Sequence, residues 1–262
     1  MAIDQATKEK LAEFLETAEL EGREVTKITD EYPDLTLTEA YEICDLIRER
    51  KLSRGIKQVG YKLGLTSRAK MEQMGVNRPG YGYLFDYFAI PDGGEIRTAE
   101  LVHPKVEPEI AVVLKKPLEG PGCTIADVMA AIDFVMPAME IIDSRYENFR
   151  FDLVSVIADN SSSSRFVTGG RSATLDQVDL KTMGVVMEIN GEVVALGAGA
   201  AVIGHPASAV AMLANALAEK GEVLPAGAFI MTGALTAAVA VAPGDSVTVS
   251  YQGLGTLSAQ VV

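Results

Sequence analysis

The sequence predicts an α+β chain, with a helical N-terminal segment set on a strand-rich, mostly antiparallel body. Three observations carry this. Two early segments, 4–20 and 36–54, space their apolar residues as helices do. From about residue 57 the pattern changes to short Val-, Ile- and Tyr-rich runs between Gly and Pro. Gly and Pro recur so closely there that a rolled or barrel-like sheet is expected rather than a doubly wound one. Residues 1–56 read as a helical cap segment and 57–262 as one structural unit, with no long linker, low-complexity stretch or repeat.

In the first helix Leu11, Phe14, Leu15 and Ala18 fall at i, i+3, i+4 and i+7 and form one apolar stripe. Asp4 is its expected N-cap, and Gly22 follows its end. Thr36 and Glu39 have capping-box spacing for the second helix, whose buried face is Ala40, Ile43, Cys44 and Ile47. It runs out near Arg54 and Gly55. Strands are expected at Val59–Leu63, Tyr83–Phe88, Glu107–Leu114, Phe134–Ile142, Ser155–Ile157, Phe166–Thr168, Val185–Ile189, Val193–Leu196, Phe229–Thr232, Ser246–Tyr251 and Thr256–Val261. Asn190-Gly191 is a two-residue hairpin signal. Two helices interrupt the series. One is Thr124–Ile132; the other follows Pro206, buries Val210, Leu213, Ala214 and Leu217, and stops at Gly221.

Composition narrows the function. The chain has 262 residues, 48 % hydrophobic and 23 % charged, which suits a globular protein that buries its own core. The net charge of −13 repels nucleic acid, and no basic stripe offsets it. An anionic membrane surface is disfavoured for the same reason. The apolar stretches are too short to span a bilayer, and the N-terminus lacks a signal-type apolar run. Two cysteines cannot build a disulfide framework, which fits a reducing cytoplasm. Two histidines and two scattered cysteines give no zinc-type cluster, so a bound metal is expected to be a hard ion on carboxylates. A small anionic substrate needs a local cation.

The run His103-Pro-Lys-Val-Glu-Pro-Glu-Ile-Ala-Val-Val-Leu carries the strongest chemical signal. Glu107 and Glu109 stand two apart on a strand, so period-two geometry puts both carboxylates on one face. Pro108 between them donates no ladder bond, which points to a sheet edge or a mouth. Such a pair repels unless a cation lies between; the competing reading is a solvated strand end. Glu140 sits in the apolar run Phe134-Val-Met-Pro-Ala-Met-Glu-Ile-Ile-Asp, where an unpaired carboxylate costs several kcal/mol. It either joins Glu107 and Glu109 around Mg²⁺ or Mn²⁺, or pairs with Arg145. Lys62, between Gly60 and Gly64, either points inward at a carboxylate or anionic ligand or snorkels to water. Weaker polar signals are the Ala158-Asp-Asn-Ser-Ser-Ser-Ser loop, which includes Ser161, and Thr232-Gly233 at a strand end. His205 reads as a helix-entry residue, and nothing in the spacing of His103 assigns it a role.

Four motifs in order, Gly60-Tyr-Lys-Leu-Gly-Leu-Thr-Ser, Pro104-Lys-Val-Glu-Pro-Glu-Ile-Ala, Pro137-Ala-Met-Glu-Ile-Ile-Asp-Ser-Arg and Ala158-Asp-Asn, resemble the hydratase/decarboxylase family of aromatic meta-cleavage pathways, within the fumarylacetoacetase-like superfamily. The likeness covers nearly the whole chain. It implies a fumarylacetoacetase-like mixed β-barrel or roll core, and Mg²⁺ or Mn²⁺ on Glu107, Glu109 and Glu140. It further implies Lys62 as the catalytic lysine, with Leu65, Thr66, Ser161 and Thr232 as substrate contacts. The family hydrates 2-hydroxypenta-2,4-dienoate or decarboxylates 4-oxalocrotonate (2-oxo-3-hexenedioate). Its hydratases carry Pro-Asp-x-Gly where this chain has Pro79-Gly80-Tyr81-Gly82, and adding water needs a group to activate it whereas losing CO₂ does not. With Met71-Glu-Gln-Met-Gly-Val, Ile230-Met-Thr-Gly and Tyr251-Gln-Gly-Leu-Gly, this favours decarboxylation, ahead of hydration and of a non-catalytic partner subunit. The resemblance also implies a dicarboxylate 2-keto acid substrate, a homo-oligomer and a complex with the pathway hydratase. The helical cap or the loop around Met74–Tyr83 is expected to close over the site.

Overall fold

The computed structural model describes residues 3–67, 71–72 and 78–262. Helix α1 (Gln5–Glu21) starts where the Asp4 carboxylate accepts the Thr7 N–H at 2.8 Å. It stops at Gly22, whose φ of 58° is left-handed and suits glycine. Leu11, Leu15 and Ala18 are buried as expected, but Phe14 is 37 % exposed. Ala12 and Glu16 take the inner positions instead, because α1 faces helix α3 (Leu37–Ser53), which brings Arg50 to 2.7 Å from Glu16. Thr36 and Glu39 form the capping box of α3. A short helix α2 (Ile28–Glu31) lies between them.

The strands form two mixed sheets. The larger contains β1 (Gln58–Gly64), β2 (Gly80–Phe85), β3 (Ala89–Pro91), β5 (Pro104–Leu114), β6 (Ile132–Asp143), β7 (Ser163–Thr168), β10 (Phe229–Ala234) and β11 (Val239–Ala240). Its order is β2-β1-β10-β5-β6-β7-β3, with β11 on β5. The edge strands β2 and β3 are joined only by the turn Asp86–Phe88, so the sheet curls until its two edges are neighbours. The smaller sheet is β4-β13-β12-β8-β9, from β4 (Glu95–Ile96), β8 (Gly184–Ile189), β9 (Glu192–Ala198), β12 (Ser246–Tyr251) and β13 (Gly255–Val261). Asn190-Gly191 turns β8 into β9, with positive φ at both residues. Helix α4 (Ile125–Ala131) and helix α6 (Pro206–Ala218) pack against each other, and α6 covers β10 with Val210, Leu213 and Leu217 fully buried. The stretch Gly199–Ala218 has a mean hydropathy of 1.4, but only 13 residues of it are α-helix, short of the ~20 that cross a bilayer.

Three expectations are corrected. Ser155–Ile157 is not a strand but part of helix α5 (Leu153–Ala158), because the Asp152 carboxylate caps it through the Ser155 N–H at 2.8 Å. The strand expected at Tyr83–Phe88 is Gly80–Phe85; the chain turns at Asp86, whose carboxylate accepts the Tyr87 N–H. β5 is not an edge: β6 flanks it on one side, β10 and β11 on the other. Pro108 is tolerated because its carbonyl, and so its missing N–H, faces the break between β10 and β11, where Leu235 N–H reaches that carbonyl at 2.9 Å.

Candidate active site

The two longest strands set the site. In the antiparallel register of β5 and β6, Glu107 lies directly opposite Glu140, and Glu109 is two residues further along the same face. All three are buried, Glu109 and Glu140 completely. One oxygen from each lies within 4.8 Å of the others. β1 delivers Lys62, which is 2 % exposed, and its Nζ is 3.2 Å from Glu140 Oε1 and donates to the Ser161 carbonyl at 3.1 Å. Lys62 therefore points inward and does not snorkel. Arg145 does not reach Glu140; it pairs with Asp159 at 2.8 Å.

Like charges at this density perturb one another. Burial pushes the Glu109 carboxyl well above the usual carboxylate range, and the charge of Glu140 adds to the push. Burial raises Glu140 as well, with Lys62 pulling the other way. Burial opposes the charge on Lys62, yet Glu140, Glu109 and Glu107 outweigh it and hold the ammonium above its ordinary range. The Gly233 N–H donates to Glu109 Oε2 at 2.7 Å. Among the described residues, Glu109 Oε1 and Glu140 Oε2 have no hydrogen-bond donor, and Glu140 Oε1 has only the Lys62 ammonium beside it. Buried carboxylate oxygens left in this state cost several kcal/mol unless a cation engages them. Among the described residues the cluster offers three carboxylate oxygen donors and no histidine or cysteine, which fits a hard divalent ion such as Mg²⁺ or Mn²⁺.

A cavity of about 580 Å³ opens over this cluster, lined by Lys62, Leu65, Glu107 and Ser161 among others. Phe149, Phe151, Val156 and Ile157 give it an apolar wall. Gly80 also lines it, and a Cβ there meets Ile157 Cδ1 at 2.6 Å. A smaller cavity of about 230 Å³ shares Leu65 and Glu107 and adds Thr66. The four residues expected to contact substrate thus separate. Leu65 and Ser161 stand in the main wall, although the Ser161 hydroxyl donates to the Tyr81 carbonyl at 2.9 Å. Thr66 packs beneath Gly233, whose φ of 111° and missing Cβ let it approach. Thr232 is buried with its hydroxyl donating to the Ile110 carbonyl at 2.8 Å, and lines neither cavity. His205 caps α6, its Nδ1 accepting the Ala207 N–H, and His103 pairs with Glu24.

Ser161 owes its position to a left-handed turn. Asn160, Ser161 and Ser162 all have φ between 50° and 57°. Non-glycine residues pay about 1 kcal/mol or more each for this. The Asn160 amide donates to the Tyr83 carbonyl and accepts the Tyr83 N–H, and the Arg145 guanidinium bonds the Asp159 and Ser163 carbonyls, so the turn is pinned from both sides. The sequence pattern did not show the left-handed form of this turn, nor the roles of Lys105 and Phe149. Only Lys105 left a signal, its two-residue offset from Glu107.

The profile described as "Fumarylacetoacetate (FAA) hydrolase C-terminal" matches residues 65–262. The chain is 64 % identical over 252 residues to 4-oxalocrotonate decarboxylase of Pseudomonas putida, covering 96 % of each. It is 38 % identical over 251 residues to 2-keto-4-pentenoate hydratase 2 of Dechloromonas aromatica, again covering 96 % of each. The solved 4-oxalocrotonate decarboxylase of Pseudomonas putida G7, complexed with magnesium and adipate, superposes with a TM-score of 0.98 at 60 % identity, over 100 % of this chain and 99 % of that one. With the sheet topology, the triad and these likenesses in agreement, the chain belongs to the fumarylacetoacetate hydrolase family.

Proposed function

We propose that the chain decarboxylates 4-oxalocrotonate (2-oxo-3-hexenedioate) to 2-hydroxypenta-2,4-dienoate and CO₂, with Mg²⁺ or Mn²⁺ on Glu107, Glu109 and Glu140. The observation that carries this is a buried carboxylate triad, with Glu109 Oε1 and Glu140 Oε2 lacking a donor among the described residues, at the base of a cavity whose position 80 is glycine. The decarboxylase names of the most similar relatives support it, as does the solved relative's magnesium and diacid. Among the described residues, Glu107 is the only acid lining the main cavity, so no free carboxylate is left there to activate water.

The ion supplies Lewis acidity to the 2-keto acid end of the substrate. The bond between the distal carboxylate and its carbon breaks, and its electron pair runs through the alkene to the keto oxygen. One proton then completes the dienol. Lys62, 3.2 Å from Glu140 and lining the cavity, sets its ammonium where it stabilises the negative charge that develops. Phe149, Phe151, Val156 and Ile157 keep water from the departing carboxylate, which both favours loss of CO₂ and suppresses hydration. Leu65 and Ser161 shape the wall. Thr66 and Thr232 act at one remove, by holding the segment that presents Gly233 N–H to Glu109.

We further propose that residues 1–56 serve as a helical cap to a core of 57–262, with α3 packed on α5 at the cavity wall. The loop expected to close, around Met74–Tyr83, lies partly outside the described residues. Val193, Val194 and Leu196, 55 %, 41 % and 70 % exposed on edge strand β9, support assembly with further copies or with the pathway hydratase. Two free thiols suit the cytoplasm. The test is to offer the purified chain with Mg²⁺ both 2-oxo-3-hexenedioate and 2-hydroxypenta-2,4-dienoate. Release of CO₂ from the first is expected; consumption of the second alone, without gas, contradicts the proposal.

A further inference from the structure

We infer that Lys105 binds the distal carboxylate of the substrate and sets the preference for dicarboxylate over monocarboxylate 2-keto acids. Lys105 lies two residues before Glu107 on β5, so both side chains project from one face. Their separation along the strand is about 6.6 Å, comparable to the reach of a six-carbon chain. Both line the main cavity. A 2-keto acid anchored at the triad and extended along β5 therefore brings its far end to Lys105.

The ammonium is held for that task. Its Nζ stands 3.5 Å from the centre of the Phe149 ring. Phe149 reaches this place in a left-handed backbone, with φ of 58° after 56° at Asn148. A bulky aromatic in that region is a costly outlier, which the Phe149 N–H to Tyr146 carbonyl bond at 3.0 Å helps to hold. Lys62 is tied to Glu140; among the described residues no carboxylate lies within ion-pair distance of Lys105. A chain of net charge −13 needs such a local cation to admit a dianion. Exposed Arg150 lines the same cavity but has no ring beneath it among the described residues.

The consequence for rate follows from the chemistry. The carboxylate leaves as neutral CO₂, so its contact with Lys105 is strongest before bond cleavage and fades during it. Such a contact lowers KM and does not raise kcat. The substrate's identity rests on the decarboxylase proposal; the preference for a second carboxylate does not.

The test uses the full chain loaded with Mg²⁺ and two saturated ligands of equal length, 2-oxoadipate and 2-oxohexanoate, titrated calorimetrically. The wild type is expected to favour 2-oxoadipate by roughly tenfold or more, the size of one charge-assisted contact. Lys105→Met keeps the stem over Phe149; it should bring the two ligands to within about twofold while leaving 2-oxohexanoate unchanged. Lys105→Arg should retain the preference. With 2-oxo-3-hexenedioate, Lys105→Met should raise KM about tenfold without lowering kcat. A Lys105→Met protein that keeps the preference, or weakens both ligands equally, overturns the inference, and so does loss of the preference in Arg150→Met alone. A wild type that releases no CO₂ sinks the decarboxylase proposal, while the ligand pair still judges Lys105.

Discussion

Two buried charge clusters lie within a few residues of each other along β6 and its following turn, and they are built on opposite plans. Arg145 is 1 % exposed and Asp159 2 %, and their 2.8 Å pair is closed: the guanidinium also bonds the Asp143, Asp159 and Ser163 carbonyls. Burial opposes the Arg145 charge, but Asp159 and Asp143 hold it above its ordinary range. Burial pushes Asp159 up to about 7 against the pull of Arg145, and the geometry around it is that of an ionised pair. The Lys62 cluster is open. Among the described residues, Lys62 pairs with Glu140 Oε1 at 3.2 Å, while Glu109 Oε1 and Glu140 Oε2 have no donor. A fold that satisfies one buried pair so fully and leaves Glu109 Oε1 and Glu140 Oε2 open among the described residues offers the second cluster to a cation. The closed pair stabilises and positions; the open one does chemistry.

The sharpest way to break this contrast is to remove a charge from each. Glu140→Gln should cut kcat/KM by about a thousandfold or more while the chelated protein melts no lower than wild type, since the change relieves repulsion. Full activity after chelation and readdition of Mg²⁺ contradicts the ligand assignment. Arg145→Met should do the reverse in kind. It strands Asp159 in the interior and should destabilise by about 3–5 kcal/mol in urea unfolding, with Arg145→Met/Asp159→Leu recovering much of the loss. An Arg145→Met protein as stable as wild type would mean the pair is not what pins the Asn160–Ser162 turn.

A pH series sharpens the comparison further. In chelated protein the raised Glu109 carboxyl keeps its proton above pH ~4.5, where the unfolded chain has lost it. The native state then binds more protons, so stability falls as pH rises through that window. Mg²⁺ binds the deprotonated triad and should cancel only the part due to the triad, measured as Tm against pH with and without the ion and in Glu109→Gln. A chelated wild type whose Tm falls no more with rising pH than that of Glu109→Gln contradicts the raised Glu109. The smallest effect is far from both clusters: Thr36→Ala removes the α3 capping box and should cost about 1 kcal/mol with kcat unchanged.

How much of this was legible in the sequence depended on range. Asp4, Gly22, the Thr36–Glu39 box and Asn190-Gly191 act within a few residues, and each marks its element where expected. Period two put Glu107 and Glu109 on one face before any fold was known. Glu140 needed only its apolar surroundings to stand out. Local rules failed where a distant partner decides. Glu16 took an inner face of α1 because Arg50 and Arg54 come to it from the C-terminal end of α3, and the nearby Asp152 cap overrode the strand preference of Val156 and Ile157. The competing partner for Glu140, Arg145, sits five residues away in sequence yet faces Asp159, and Lys62 arrives from another strand altogether. Left-handed Asn160–Ser162 and Phe149 left no trace, since their conformation is imposed by Tyr83, Arg145 and Tyr146.

The central claim is that the buried triad grips one divalent ion. Crystals grown with Mn²⁺ and measured for anomalous scattering at the manganese edge test it most directly. The account predicts a single strong peak at coordination distance from Glu107, Glu109 and Glu140, gone in Glu109→Gln. Three carboxylates still turned toward Lys62, with no peak among them, would contradict it.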